Sequence, residues 1–251
     1  MINIRSRQEI EQIRKAGVIV AEVHDLMKQM VRPGITTIEL DEAAEAHIRS
    51  RGGVPAFKGY SGFPASICSS INHQVVHGIP GQVQLVEGDM ISIDTGVQLN
   101  GYFADAAKTY PVGTISTQTQ RLIDITRNSF YEGIRYAREG YRLSDISHAI
   151  QSYVEAAGFS VVRNYVGHGI GTALHEEPQI PNFGLAGKGP RLKSGMVLAI
   201  EPMINQGTYQ VNVMPDGWTV ITADGECSSH HEHTIAITDG EPELLTVLNA
   251  G

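Results

Sequence analysis

Apolar and small positions recur at helical spacing from Ile10 through Ile13, Gly17, Val20, His24 and Met27 to Val31, and Pro33-Gly34 closes the run. Thr36 and Glu39 then stand at capping-box spacing, and Leu40, Ala43, Ala44 and Ile48 predict a second helix that ends at Gly52-Gly53. The pattern returns after Ser116. Leu122, Ile125, Ser129 and Ile134 predict a third helix broken by Gly140, and Ser144 reads as the cap of a fourth that runs through Ile146, Ala149, Ile150 and Val154 to Gly158. A shift of 106 residues lays Gly34 on Gly140, Leu40 on Ile146, Ala43 on Ala149, Ile48 on Val154 and Gly52 on Gly158. Leu85-x-x-Gly88 with Ile93-Asp94 likewise parallels Leu192-x-x-Gly195 with Ile200-Glu201. The expectation is an α/β (α+β) fold: one domain over 1–251, built from duplicated helix-helix-strand halves of about 1–115 and 116–251 that enclose a central cleft.

Both halves end a strand in a carboxylate. Asn100-Gly101 is a two-residue hairpin turn between Met90–Leu99 and Tyr102–Tyr110. That turn sets Leu99 opposite Tyr102 and Gly96 opposite Asp105, so Asp94 and Asp105 share a face as diagonal neighbours, roughly 7–8 Å apart between Cα atoms. Two like charges brought to about 4 Å repel by about 4 kcal/mol at an effective dielectric near 20, so the pair calls for a proton or a cation unless it is simply solvated.

Further donors accompany them. Gly167-His168-Gly169 places glycines on either side of an imidazole, His175-Glu-Glu-Pro178 follows, and Ile200-Glu201-Pro202 and His231-Glu232-His233 come later. The last is read as one strand over His231–Thr238. Alternation then puts Glu232 on a face with His230 and Thr234, and His231 and His233 on the other with Ile235 and Ile237, where packing is expected. Asp94, Asp105, Glu201, Glu232 and His168 form an oxygen-rich set suited to two divalent cations, with Mn, Fe, Co and Zn all compatible. No His-Glu-x-x-His motif is present, because Gln179 stands four residues after His175.

Charge narrows the partners. Lys and Arg number 19 against 27 Asp and Glu, a formal −8, which argues against DNA or another phosphate backbone as the main partner. No apolar run approaches the roughly 20 residues of a membrane span, and nothing at Met1–Ile10 marks a secretory route, so a cytoplasmic protein with no membrane partner is expected. Cys68 and Cys227 are too few for a disulfide framework. Arg5, Arg7, Arg14 and Lys15 are either a ribosome contact or the solvated face of the first helix, and the absence of a readable interface favours a monomer.

Seven motifs in chain order give the set a family likeness: Val76-His77-Gly-Ile-Pro80, Ile93-Asp94-Thr-Gly96, Asp105-Ala-Ala-Lys108, Gly167-His168-Gly-Ile-Gly171, His175-Glu-Glu-Pro178, Ile200-Glu201-Pro-Met203 and Glu232-His-Thr234. The chain resembles the type I methionine aminopeptidases over nearly its whole length. The resemblance implies the pseudo-twofold pita-bread fold. It also implies removal of the N-terminal methionine from peptides and nascent proteins with a small second residue, by attack of a water bridging two metal ions, cobalt and manganese among the candidates. On this likeness Asp94 would hold one ion, His168 and Glu201 the other, and Asp105 and Glu232 both. Glu201 would carry the proton, His175 would donate to the oxyanion, His77 would contact the leaving nitrogen, and Tyr60, Phe63, Cys68 and Trp218 would line a methionine pocket. A monovalent cation would fall at Asn72 and Ser229.

Departures from the family pattern lie near the substrate: Leu174 where an aromatic is common, and His230-His231 where Gln and an aromatic are common. Three other readings remain. A proline-specific exopeptidase of the same fold usually carries a large extra N-terminal domain. Asp94-Thr95-Gly96 spells an aspartic-protease signature, but in one copy. A non-catalytic binding protein of this fold would have lost metal ligands, whereas all five positions stand here.

Overall fold

The computed structural model describes residues 1–248. Its helices are α1 (Arg7–Met30), α2 (Thr37–Ser50), α3 (Thr117–Ile134) and α4 (Leu143–Ala156). The second helix of each pair obeys the 106-residue shift at both ends, Thr37 to Leu143 and Ser50 to Ala156. Ser6 and Thr36 close capping boxes with Glu9 and Glu39, each hydroxyl accepting from the third backbone N–H and each glutamate accepting in return.

The cap of α4 departs from expectation. Arg142, not Ser144, occupies the N-cap position, which is where the shift carries Thr36. The first amide groups of α4 donate to the carbonyls of Pro190 and Lys188, so no hydroxyl cap is required. The Ser144 hydroxyl instead donates to the Lys188 carbonyl and accepts from its N–H. The third helix also stops at Ile134, short of Gly140.

Among the described residues every strand pair is antiparallel. In the first half Met90–Leu99 pairs with Tyr102–Pro111 in the register expected, Leu99 opposite Tyr102 and Gly96 opposite Asp105. Asn100 and Gly101 take φ of 51° and 84°, the left-handed pair that a type I′ turn requires. Ile67–Ile71 lies on the other side of Met90–Leu99 and sets Cys68 opposite Asp94. In the second half a five-stranded sheet runs Glu243–Leu244, His233–Ala236, Val197–Ile200, Gly167–Gly169, Glu176–Ile180. Helices α1 and α2 bury Ile13, Val20, Met27, Leu40 and Ile48 against Ile67, Ile91 and Ile93, while α3 and α4 bury Leu122, Phe130, Ile146 and Ile150 against Leu198, Ile200 and Ile235.

The strand expected over His231–Thr238 is shorter, His233–Ala236, and the ladder is interrupted before it at His231-Glu232. Ser228–His230 pairs with Met203–Asn205 in one sheet, and His233–Ala236 pairs with Val197–Ile200 in another. The partner strand breaks at the same level, between Ile200 and Met203, where Pro202 removes an amide donor. Met203 lies opposite His230 and His233 opposite Ile200, so carrying that register across the gap puts Glu201 opposite Glu232. Ladder pairing lapses where the two carboxylates meet.

Beside the carboxylates the halves join along a seam. Glu232 N–H donates to Ala107 O at 2.8 Å, and Thr109 Oγ1 donates to His230 O at 2.9 Å. Thr234 Oγ1 accepts from Asp105 N–H at 3.1 Å and lies 2.9 Å from Asp105 O and 3.0 Å from Asp105 Oδ1.

The N-terminal basic residues do not form one face. Arg5 precedes α1, donates its N–H to Gly195 O, and buries its guanidinium against both oxygens of Glu176 at 2.6 Å. It is therefore withdrawn from any ribosome contact, for a partner that lies too far along the chain for periodicity to reveal. Arg14 pairs with Glu243 and Glu11, leaving Arg7 and Lys15 exposed on the helix.

Candidate active site

A cavity of about 250 Å³ gathers Asp94, Asp105, His168, Glu201, Glu232, His77, His175, Tyr60, Phe63, Cys68 and Trp218, so the residues expected as metal ligands, catalytic groups and pocket wall line one space, while Asn72 and Ser229 lie outside it. Leu174 and His230 line it too. Phe57, Tyr165 and Met203 were not foreseen. Met203 stands two residues after Glu201, a spacing that alternation could have used, whereas Phe57 and Tyr165 carry no comparable signal.

The glycines around His168 have a steric cause. A Cβ on Gly167 would lie 2.4 Å from Ala199 O, and one on Gly169 would lie 2.2 Å from Glu177 O, so this short strand fits between its neighbours only without side chains beside the histidine. His168 Nδ1 donates to the Gly169 carbonyl at 2.9 Å, which turns Nε2 towards Asp105 Oδ2 at 3.3 Å and Glu201 Oε1 at 3.7 Å. His77 sits at φ 60°, a left-handed backbone that costs a non-glycine residue about 1–3 kcal/mol. Its ring meets Tyr165 edge-on at 5.5 Å.

Burial of the carboxylates dominates the electrostatics. Desolvation, with Asp105 and Glu201 nearby, pushes Asp94 well above the usual carboxylate range. Glu232 is raised in the same way by burial and then by Asp105 and Asp94. Burial raises Glu201 to about 8, with the charge of His168 opposing and that of Asp105 adding. His168 is drawn down by burial but lifted more by Asp105 and Glu201, to about 9. Such a cluster binds protons tightly at neutral pH, and a dication satisfies the same charges by displacing them.

The residues fit metal ions on geometry as well. One donor atom each from Asp105, His168 and Glu232 lies within 4.8 Å of the others, and Asp94 Oδ1 is buried with no hydrogen-bond partner. The thiol of Cys68 is pushed well up by burial and then by Asp94, which keeps it protonated beside the acidic group it faces.

His230 is buried, and its Nε2 lies 3.7 Å from Glu201 Oε2 with no hydrogen-bond partner among the described residues. His231 and His233 point away and pack on Phe130, with ring centroids 5.4 and 5.3 Å apart from it, as alternation required. The Asn72 amide donates to Asp89 and accepts from Met90 N–H, and the Ser229 hydroxyl donates to Thr109 Oγ1, which leaves its oxygen lone pairs available.

Residues 11–239 match the profile of metallopeptidase family M24. The chain belongs to metallopeptidase family M24. Within M24 it is 56% identical over 248 residues to the methionine aminopeptidase of Clostridium perfringens, covering 99% of this chain and 100% of that one. The crystal structure of methionine aminopeptidase from Rickettsia prowazekii superposes with a TM-score of 0.97 at 43% identity, covering 98% of this chain and 100% of that one. The prolidase from Pyrococcus furiosus shares the fold, with a TM-score of 0.77 at 20% identity over 98% of this chain and 66% of that one. The pita-bread arrangement of M24 is thus present, and its hydrolytic class accounts for the buried carboxylates. Among the described residues no helix is long and apolar enough to cross a membrane.

Proposed function

We propose that this M24 chain is a metal-dependent methionine aminopeptidase, a single catalytic domain that removes the first methionine from peptides and nascent proteins with a small second residue. The observation that carries the reading is the convergence of Asp94, Asp105, His168, Glu201 and Glu232 on one cavity with an apolar wall of Phe63, Cys68 and Trp218. High identity to proteins named methionine aminopeptidase supports the substrate. In this reading Asp94 would hold one divalent ion, His168 and Glu201 would hold a second, and Asp105 and Glu232 would serve both. When bound, such ions lower the pKa of a coordinated water and polarise the carbonyl of the first peptide bond.

The protein groups do the rest. In this reading Glu201 would take a proton from the attacking water and pass it to the leaving amine. Burial, with help from His168 and His77, holds His175 at about 4, so it is neutral and can donate an N–H to developing negative charge on oxygen. His77, held between Tyr165 and Trp218, would contact the leaving nitrogen. Phe63 and Trp218 meet edge-on at 5.1 Å and form a wall for an unbranched apolar side chain, with the Cys68 thiol as a soft contact.

The ions are drawn from Mn, Fe, Co and Zn, and the enzyme works as a cytoplasmic monomer. The backbone around Asn72 and Ser229 is the place for a monovalent cation. Hydrolysis of Met-Ala-Ser, lost on chelation and restored by a divalent metal, with no cleavage of N-acetylated or Ala-Pro peptides, is the expected result. Cleavage of Ala-Pro peptides in preference would replace this reading with a proline-specific one. A chain that neither binds divalent ions nor cleaves Met-Ala-Ser would be a binding protein.

A further inference from the structure

The cavity holds one hydrogen bond that neither metal binding nor pocket shape requires. Tyr60 Oη lies 2.7 Å from His175 Nδ1, with the two rings 5.1 Å apart and inclined by 55°. We infer that Tyr60 is a positioning residue for His175: its hydroxyl donates to Nδ1 and thereby keeps the proton of the neutral imidazole on Nε2, the nitrogen left free for substrate. This rests on the role proposed for His175 above.

A neutral imidazole has one N–H and one acceptor nitrogen, and the partner of one nitrogen decides which is which. The hydroxyl of Tyr60 makes no other hydrogen bond among the described residues, and Nδ1 of His175 likewise has this partner alone. A phenol is a better donor than acceptor, so the proton in the bond belongs to oxygen, and Nε2 keeps its own.

The contact is built rather than incidental. Tyr60 stands on a tight turn in which Gly59, Ser61 and Gly62 take φ of 87°, 48° and 89°. Tyr60 N–H donates to Phe57 O at 3.0 Å, Phe63 N–H to Tyr60 O at 2.9 Å, and Gly59 N–H to Phe63 O at 2.8 Å. A non-glycine residue held left-handed at Ser61 costs free energy that a simple loop would relax. The turn fixes the height of the Tyr60 ring over the cavity mouth, and with it the hydroxyl.

The test is Tyr60→Phe, which keeps the ring and, at a partly exposed position, leaves packing in place. Wild-type and variant chains loaded with zinc are labelled at histidine nitrogen, and the His175 tautomer is read by NMR. The wild type should show Nε2–H with an unprotonated Nδ1, and Tyr60→Phe should shift this towards a mixture. For Met-Ala-Ser, kcat should fall about 3- to 10-fold, the worth of one hydrogen bond, while KM stays within about twofold. In a His175→Ala background the Tyr60→Phe change should add nothing.

An Nδ1–H tautomer in the wild type, an unchanged tautomer in the variant, a rise in KM with kcat held, or additivity with His175→Ala each overturns the inference. Because the tautomer is read without turnover, an absence of methionine-peptide cleavage would overturn the proposed function and leave the Tyr60 contact separately decided.

Discussion

Thr234 offers a sharp perturbation of the seam. Its hydroxyl contacts three atoms of Asp105: N–H at 3.1 Å, O at 2.9 Å and Oδ1 at 3.0 Å. Both residues are buried, with Thr234 fully so. Thr234→Val keeps the shape and removes the oxygen, so the Asp105 N–H is left without its partner and the carboxylate without its tether. A buried amide deprived of its acceptor costs about 1–3 kcal/mol. For a chain of this length each kcal/mol lowers Tm by roughly 2–4 °C, which gives a loss of about 2–12 °C in the presence of chelator. The second consequence is chemical. Groups that orient a metal ligand are typically worth about 10- to 100-fold in metal affinity. Calorimetric titration with a divalent ion should therefore show weakening of that order in Thr234→Val, and near-normal binding in Thr234→Ser, which restores the oxygen. Equal affinity and equal Tm in the valine variant would refute the claim that this hydroxyl aims Asp105.

Alanine at Asp105 should abolish turnover and loosen both ions, whereas alanine at His175 should leave metal content intact and slow the reaction roughly 10²- to 10³-fold; equal metal loss in the two variants, measured by elemental analysis beside kinetics, would remove the role assigned to His175. Gly169→Ala forces a methyl to within 2.2 Å of a backbone carbonyl and should destabilise by about 3 kcal/mol or more, read by denaturant titration; a fold of unchanged stability would show that this strand can shift aside. Burial, aided by the charge of Lys108, holds His233 at about 3, so between that value and about 6.5 the unfolded chain takes a proton that the folded chain does not. Its stabilising contribution is therefore present above pH 6.5 and shrinks as pH falls, by about 1.4 kcal/mol per unit. His233→Gln should flatten the pH dependence of stability by that amount, and an unaltered slope would mean that His233 takes up its proton in the folded state.

Much of this site was legible because hairpin geometry and alternation act locally. Asn100-Gly101 fixed the register that puts Asp94 and Asp105 on one face, and period two separated Glu232 from His231 and His233. The duplicated helices were legible because their spacing survives a constant shift, down to the cap at Arg142 that a propensity argument assigned to Ser144. What could not be read depends on chain segments far apart. The gap at Glu201 and Glu232 arises where the halves abut, Arg5 finds Glu176 across the fold, and the Tyr60 hydroxyl reaches His175 from a turn with no periodic signal. The M24 relationship bears on the activity, while the geometry bears on how individual side chains are aimed.

The five proposed metal donors are divided between the halves, two before residue 116 and three after it, and the last of them, Glu232, lies on the seam. On that proposal the growing polypeptide lacks one donor until Glu232 has emerged and its backbone has closed on Ala107. Competence arrives late, and a chain cut off before that point also lacks the His233–Ala236 strand that pairs with Val197–Ile200.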